Sequence, residues 1–144
     1  MIDIEKLKAA GWLELADGSV TEIKEGDKFF IQSGTAEVVQ SGGYCCTRYG
    51  GTVNITQSGG ECGADYGGTL NNTQSGGKCW ALAGGTVNNT QSRGVCGAVK
   101  GTVNNNQLGG TCWARDGGIV NNTLSGGISW AYDGGTINHI ANHS

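Results

Sequence analysis

The sequence predicts an all-β protein, a parallel β-solenoid (β-helix) of about seven 17-residue coils with a short N-terminal helical cap. Three observations predict this fold. One phrase recurs at a nearly constant interval, the same residue types return at the same phase, and paired glycines separate short strand-like segments. The phrase is clear in residues 75–92, SGGKCWALAGGTVNNTQS. Its cysteine position advances in steps of 17, 17, 17, 16 and 17 residues, through Cys45, Cys62, Cys79, Cys96, Cys112 and Ser129.

Two architectures accommodate such a unit, because a repeat this short cannot bury its own apolar face but stacked neighbours can. In a parallel solenoid each unit is one coil, and equivalent positions stack about 4.8 Å apart. In an antiparallel meander each Gly-Gly pair forms a two-residue hairpin turn. We favour the solenoid, because in-register stacking brings equivalent side chains into contact, whereas a meander separates them by an intervening strand. The clearest such column consists of Asn54, Asn71, Asn88, Asn104, Asn121 and Asn138.

The amino-terminal part diverges from the repeat. We divide the chain into residues 1–33, an N-terminal cap and degenerate first coil, and residues 34–144, the β-solenoid repeat region. Residues 3–10, DIEKLKAA, have the pattern of a short amphipathic helix. The open end of a solenoid needs a cover, so we expect this helix to be the cap. Residues 18–23 are interpreted as one more degenerate copy.

Strand alternation divides the phrase TVNNTQ into an inner and an outer set. The column that is apolar in all six main copies must belong to the core, and it consists of Val53, Leu70, Val87, Val103, Val120 and Ile137. Two residues further on, the same face carries asparagine in most copies, and a buried amide needs a partner from a ladder or a bend. The outer set, Thr-x-Asn-x-Thr, predicts a flat polar array that contains Thr86, Asn88 and Thr90.

The second strand of each unit carries small Cys and Ala residues on one face, which suit a narrow interior. The opposite face then places Trp80, Trp113 and Trp130 outside, although tryptophan can bury about 150–250 Å². Two interpretations stay open. Exposed aromatic rings on a rigid sheet are typical of carbohydrate or protein contact, or these rings cover the glycines of adjacent coils.

The cysteines are expected to be reduced, inward-facing and stacked in one column without a metal, through Cys62, Cys79, Cys96 and Cys112. Stacked strands bring Cα atoms within the range of a disulfide, but parallel Cβ vectors disfavour the bond. The sequence has no C-x-x-C pair that would favour a zinc site. A column of thiols that holds a soft metal is the alternative. Cys46 points to the other face.

Composition and charge argue against several classes of protein. A net charge of −3 without a basic cluster predicts no nucleic-acid partner. No run of apolar residues approaches the length that a membrane span needs, so we expect no membrane partner. The first residues have acids at Asp3 and Glu5 instead of an apolar signal-peptide region, so we expect a location in the cytoplasm or in a virion unless the chain is a fragment of an exported protein. The only histidines, His139 and His143, have no partners in a catalytic spacing, and we expect neither enzyme activity nor a cofactor.

The alternation of SGG with GGTVNNT resembles the stalk repeats of AIDA-type self-associating autotransporter adhesins. The likeness is carried by Ser75-Gly76-Gly77 and by residues 84–90 followed by Ser92, and it extends over roughly residues 34–138. The resemblance implies a right-handed parallel β-helix that mediates adhesion and cell–cell aggregation by self-contact, without catalytic residues.

We therefore expect a non-enzymatic structural or adhesive repeat module that acts through its surface and self-associates. Its partners are then a second copy, another protein or a polysaccharide. One alternative is a carbohydrate- or ice-binding solenoid that uses the Trp face or the Thr/Asn face. Another is a phage-borne fibre module or host-defence inhibitor. The candidate ligand or partner surface consists of Trp80, Trp113, Trp130, Thr86, Asn88 and Thr90.

Overall fold

The structure is a computed structural model that describes residues 4–140. A short helix, α1 (Ile4–Ala9), comes first and is followed by sixteen strands in the described residues. The odd-numbered strands are β1 (Leu13–Glu14), β3 (Lys28–Ile31), β5 (Tyr44–Arg48), β7 (Glu61–Asp65), β9 (Lys78–Ala81), β11 (Val95–Val99), β13 (Thr111–Arg115) and β15 (Ile128–Ala131). The even-numbered strands are β2 (Val20–Ile23), β4 (Thr35–Gln40), β6 (Thr52–Gln57), β8 (Thr69–Gln74), β10 (Thr86–Gln91), β12 (Thr102–Gln107), β14 (Ile119–Leu124) and β16 (Thr136–Ile140).

The strands form two eight-stranded sheets, one from the odd-numbered and one from the even-numbered strands, and each strand pairs with the next but one in the chain. Every pairing is parallel; Val87, for example, lies between Leu70 and Val103 on the neighbouring strands. Each coil thus contributes one strand to each sheet. The prediction of a parallel β-solenoid with coils of about 17 residues is confirmed, and the antiparallel meander is excluded.

The single 16-residue step is absorbed at a corner. Three full-length corners pair two residues of positive φ, as Tyr66 (44°) and Gly67 (86°) do, whereas the short corner has Lys100 (61°) followed directly by Gly101. The pairing of Cys96 with Cys112 stays in register across this step. A deletion in a corner therefore leaves the inward and outward faces of both strands unchanged.

The first coils follow the same course with a shifted pattern. Strand β2 pairs with β4 so that Val20 lies beside Glu37, and Val20 is 83% exposed. Ile23, which lies beside Gln40, is the residue of this strand that is fully buried. Segment 18–23 belongs to the stack, but its valine does not continue the valine column. Helix α1 precedes β1, and the Nζ of Lys8 lies 3.9 Å from Oε1 of Glu14.

The interior has the predicted composition. The valine column is buried up to Val120, and Ile137 is partly buried against it at the last described coil. The opposite sheet contributes the buried Cys and Ala side chains of strands β5 to β13. Among residues 4–140 no helix is long and apolar enough to cross a bilayer.

Buried amides complete the core, with a partner that the sequence interpretation missed. Each inner asparagine donates a hydrogen bond from Nδ2 to the Oε1 of a glutamine in the preceding coil: Asn72 to Gln57 (3.1 Å), Asn89 to Gln74 (3.1 Å), Asn105 to Gln91 (3.1 Å) and Asn122 to Gln107 (2.8 Å). Each of these glutamines also donates through Nε2 to two backbone carbonyls; for Gln57 these are Gly60 (3.2 Å) and Lys78 (2.8 Å). Glutamine is at the same strand phase as the core valine, which was the signal in the sequence.

Candidate functional site

The outer face of the even-strand sheet carries a continuous ladder of asparagines. Each Nδ2 donates to the Oδ1 of the asparagine one coil earlier, at 2.8–3.0 Å, and Asn54 donates to Oε1 of Glu37 at 3.0 Å. We call this column the asparagine ladder; it consists of Asn54, Asn71, Asn88, Asn104, Asn121 and Asn138. The ladder forms because parallel in-register strands repeat the same short amide at each coil.

An open groove of about 740 Å³ runs along this ladder, where the sequence suggested a flat array. We call it the polar groove. Its second wall is the neighbouring outer column, and Val20, Glu37 and Val39 lie at its amino end. Five coil spacings correspond to a length of about 24 Å. Of the predicted residues, Asn88 and Thr90 line the groove and Thr86 does not. The second wall consists of Thr56, Thr73, Thr90, Asn106 and Thr123.

The polar groove offers many hydrogen-bonding groups and almost no charge. An asparagine in the ladder uses one of its two N–H donors and one of its two oxygen lone pairs, so a further donor and acceptor are left on each side chain. The threonine hydroxyls add both functions. Among residues 4–140, Glu37 is the one ionisable residue that lines the groove.

On the opposite side of the molecule, the odd-strand sheet carries a second concave region of about 340 Å³. We call it the aromatic hollow, and it is lined by Trp80, Leu82, Val99, Trp113, Arg115 and Tyr132. The ring centroids of Trp80 and Trp113 are 5.2 Å apart with an interplanar angle of 55°. Trp113 and Tyr132 follow at 6.1 Å and 45°. The guanidinium carbon of Arg115 lies 5.3 Å from the centroid of the Trp113 ring.

The two tryptophans meet although their strands are not neighbours, because strand β11 between them carries Gly97. A Cβ at Gly97 would lie 2.7 Å from Cζ2 of Trp113, so the Trp113 ring rests on this glycine. Gly63 occupies the same outward column, and a Cβ there would meet only the carbonyl oxygen and Cβ of Trp80, at 3.5 and 3.8 Å. The interpretation that tryptophans cover glycines thus applies at Gly97, while the covering ring also lines the hollow.

Trp130 lies outside the hollow and is 44% exposed. Arg115 and Tyr132 were missed from the sequence. Arg115 comes two residues after Trp113, and Tyr132 comes two residues after Trp130. Leu82 and Val99 have the same offset from Trp80 and Gly97. The period of a strand, applied to the residues after each tryptophan, would have found this column.

The cysteine column is buried and its thiols are free, with Cys45, Cys62, Cys79, Cys96 and Cys112 in register. Inward orientation and stacking are therefore confirmed. Burial, together with the charges of Cys46 and Cys79, raises the pKa of Cys45 to about 12, and burial raises that of Cys62 well above its usual value. Cys46, on the outer face, is half-buried. In the described part of the chain, no three His, Cys, Asp or Glu side chains are placed to hold a metal ion.

His139 lies on β16 and is exposed, whereas His143 is outside the described residues. Fold and surface define a repeat protein of the parallel β-solenoid class with two candidate surfaces on opposite faces. No protein-family model matches this chain, and no curated protein or solved structure is significantly similar to it.

Proposed function

We propose that the protein is a non-enzymatic structural or adhesive module that self-associates through the polar groove. The observation that carries the proposal is the asparagine ladder, which holds a row of amides in fixed positions along the outer face. Rigid, regularly spaced donors and acceptors lose little conformational entropy on contact with a partner that presents the same spacing. A second copy of this chain presents that spacing by construction.

Charge supports the choice of a second copy. The groove is lined by asparagine and threonine with Glu37 at one end, so two copies placed face to face have no like-charge repulsion along most of the contact. In a two-fold symmetric pair the same patch serves both partners. A six-residue strand spans about 20 Å and the groove is about 24 Å long. The area that these two lengths enclose is of the order of the area that one partner buries in a small specific interface.

Two matched substitutions on strand β10 test this proposal. Thr90 lines the groove, whereas Thr86 is on the same outer face of the same strand, four residues away, and does not line it. We expect sedimentation velocity to show concentration-dependent dimers of the wild type. Thr90→Lys should weaken dimerisation about tenfold or more, because two ammonium groups then approach in the interface. Thr86→Lys should change it little. A wild type that stays monomeric at high concentration, or equal effects of both substitutions, would overturn the proposal.

The regularity of the same face favours a second candidate, an ice-binding surface. Ladder bonds keep the amides at one spacing, and the threonine columns flank them, although Asn106 and Ile119 interrupt those columns. Thermal hysteresis measured on wild type and Thr90→Lys distinguishes the candidates. Hysteresis that Thr90→Lys abolishes in a monomeric protein would replace self-association as the function of this face.

We also propose that α1 and the following residues cap the amino end of the stack. The ring of Trp12 contacts that of Tyr44 at a centroid distance of 6.2 Å, which ties this segment to the third odd strand. Trp12→Ala should lower the free energy of unfolding by about 1–2 kcal/mol, since it removes an aromatic pair. Trp130→Ala at the other end of the stack is the control, and equal losses would contradict the capping role.

A further inference from the structure

We propose that the aromatic hollow is a carbohydrate-binding site, which takes one pyranose ring of a neutral oligosaccharide against Trp80 and Trp113. This site is independent of the polar groove, because the two lie on the outer faces of different sheets. Trp80 and Trp113 stand on strands that are paired in register through β11, so the backbone holds both residues in place before any ligand binds.

The size of the hollow favours a small ligand over a protein. A specific protein interface uses about 20–30 residues on each side, whereas six side chains line this hollow. Its volume of about 340 Å³ is within the range of small-molecule sites, roughly 300–1,000 Å³. A single sugar ring, with the rest of the oligosaccharide outside the hollow, is an occupant of suitable size.

The ring geometry argues against a planar aromatic ligand. A centroid distance of 5.2 Å between Trp80 and Trp113 leaves no space for a third ring between them, and their angle of 55° does not form a parallel slot. Tilted rings form instead a trough with electron-rich walls, which attract the weakly positive C–H groups of a non-planar ring.

The charge in the hollow argues against a cationic ligand. The guanidinium of Arg115 lies 5.3 Å from the centroid of the Trp113 ring, and its positive charge would repel a bound cation. Arg115 and the Tyr132 hydroxyl instead provide donors at the edge of an otherwise apolar surface. A ligand that matches this arrangement has an apolar face and hydroxyl groups around its rim, and a pyranose ring has both.

Gly97 and Gly63 provide a matched pair of variants. They occupy the same outward column, and neither has a positive φ. Gly97→Ala places its Cβ against the end of the Trp113 side chain and must displace that ring, whereas Gly63→Ala makes only ordinary contacts. Displacing a terminal ring costs the fold little, so the effect of Gly97→Ala is expected in ligand binding.

The experiment is calorimetric titration of the full chain with hexasaccharides of glucose (β-1,4 and α-1,4), xylose, mannose, galactose and N-acetylglucosamine. We expect at least one to bind with Kd of about 1 mM or tighter, with quenching of tryptophan fluorescence. Gly97→Ala and Trp113→Ala should each weaken binding about tenfold or more, and Gly63→Ala less than twofold. Circular dichroism and urea unfolding confirm that each variant is folded.

Three results would overturn the proposal: no binding by any of these sugars up to about 5 mM, equal losses in Gly63→Ala and Gly97→Ala, or a change of oligomeric state in Trp113→Ala without a change in sugar binding. The last result would identify the hollow as a contact between copies. Thr90→Lys separates this proposal from self-association at the groove, because it should leave sugar binding unchanged.

Discussion

The two outer faces of this solenoid differ in how closely they keep to the repeat. On the even-strand sheet the central outer column is asparagine in six successive coils, and each amide is bonded to its neighbours. On the odd-strand sheet the corresponding column changes at nearly every coil. It begins at the fully buried Phe30 and continues through Cys46, Gly63, Trp80, Gly97, Trp113 and Trp130.

The difference teaches that regular columns and irregular columns have different uses. The asparagine ladder is a regular column whose side chains bond to one another and link each coil to the next, which is the nearest-neighbour coupling of a repeat protein. An irregular column creates one local shape, and here the small Gly97 between two tryptophans produces a hollow that is confined to the coils between residues 80 and 132. The inner columns of both sheets are regular, with thiols from the odd-strand sheet and amides from the even-strand sheet.

The largest expected effect comes from the thiol column at alkaline pH. An unfolded cysteine releases its proton near pH 9, but folded Cys45 holds it to about pH 12, so between these values the folded state binds more protons. The contribution of the Cys45 thiol to the free energy of unfolding is therefore fully present below pH 9 and is lost as the pH rises towards 12. The loss is about 1.4 kcal/mol per pH unit for this thiol, or about 4 kcal/mol over the interval. Urea unfolding between pH 8 and pH 10.5 measures the slope. Cys45→Ala should have a shallower slope, and an unchanged slope would contradict the assignment.

The next effect concerns the buried glutamines of the even-strand sheet, which lies opposite the thiol column. Gln91 donates to the carbonyls of Gly94 (3.0 Å) and Thr111 (2.9 Å) and accepts from Asn105 (3.1 Å). Gln91→Leu keeps a similar volume but leaves the buried Nδ2 of Asn105 without its acceptor. We expect a loss of about 3 kcal/mol in the free energy of unfolding. Thr90→Ala, one residue away on the outer face, should change stability by less than about 0.5 kcal/mol. A loss below about 1 kcal/mol for Gln91→Leu would show that water replaces these bonds.

A smaller effect is expected for single thiols, which act as small apolar groups. Cys79→Ser places a hydroxyl in a fully buried position and should cost about 1–3 kcal/mol. Titration with a thiol reagent tests the column directly. Half-buried Cys46 should react before the five buried cysteines, which should react only on unfolding. Thiols that stay blocked in denaturant until a reductant is added would show disulfides instead.

The repeat made the parallel stack, its register and its inward valine and cysteine columns predictable, because identical phase in successive copies has one simple geometric meaning. Two features were not predictable in the same way. The partner of the inner asparagines is a glutamine whose polarity disguised its inward phase. The aromatic hollow depends on the side-chain torsions of Trp113 over Gly97, which strand alternation does not specify. Val20 illustrates a third difficulty, since a one-residue offset in a degenerate copy turned an apparent core valine outwards.

The smallest expected effect concerns the inner face of the even-strand sheet, in the column that carries the buried asparagines. Position 55 is isoleucine where the next four coils have asparagine, and Oε1 of Gln40, which would accept from an asparagine there, is buried without a partner among the described residues. Ile55→Asn exchanges buried apolar area, worth about 1.5–3 kcal/mol, for a hydrogen bond to an acceptor that is already in place. Because the two contributions nearly cancel, we expect a net change within about 1 kcal/mol. Val53→Asn places an amide in the fully buried apolar column of the same inner face and should cost several times more. Urea unfolding of both variants is the measurement, and equal losses would mean that the glutamine column does not determine where this core accepts an amide.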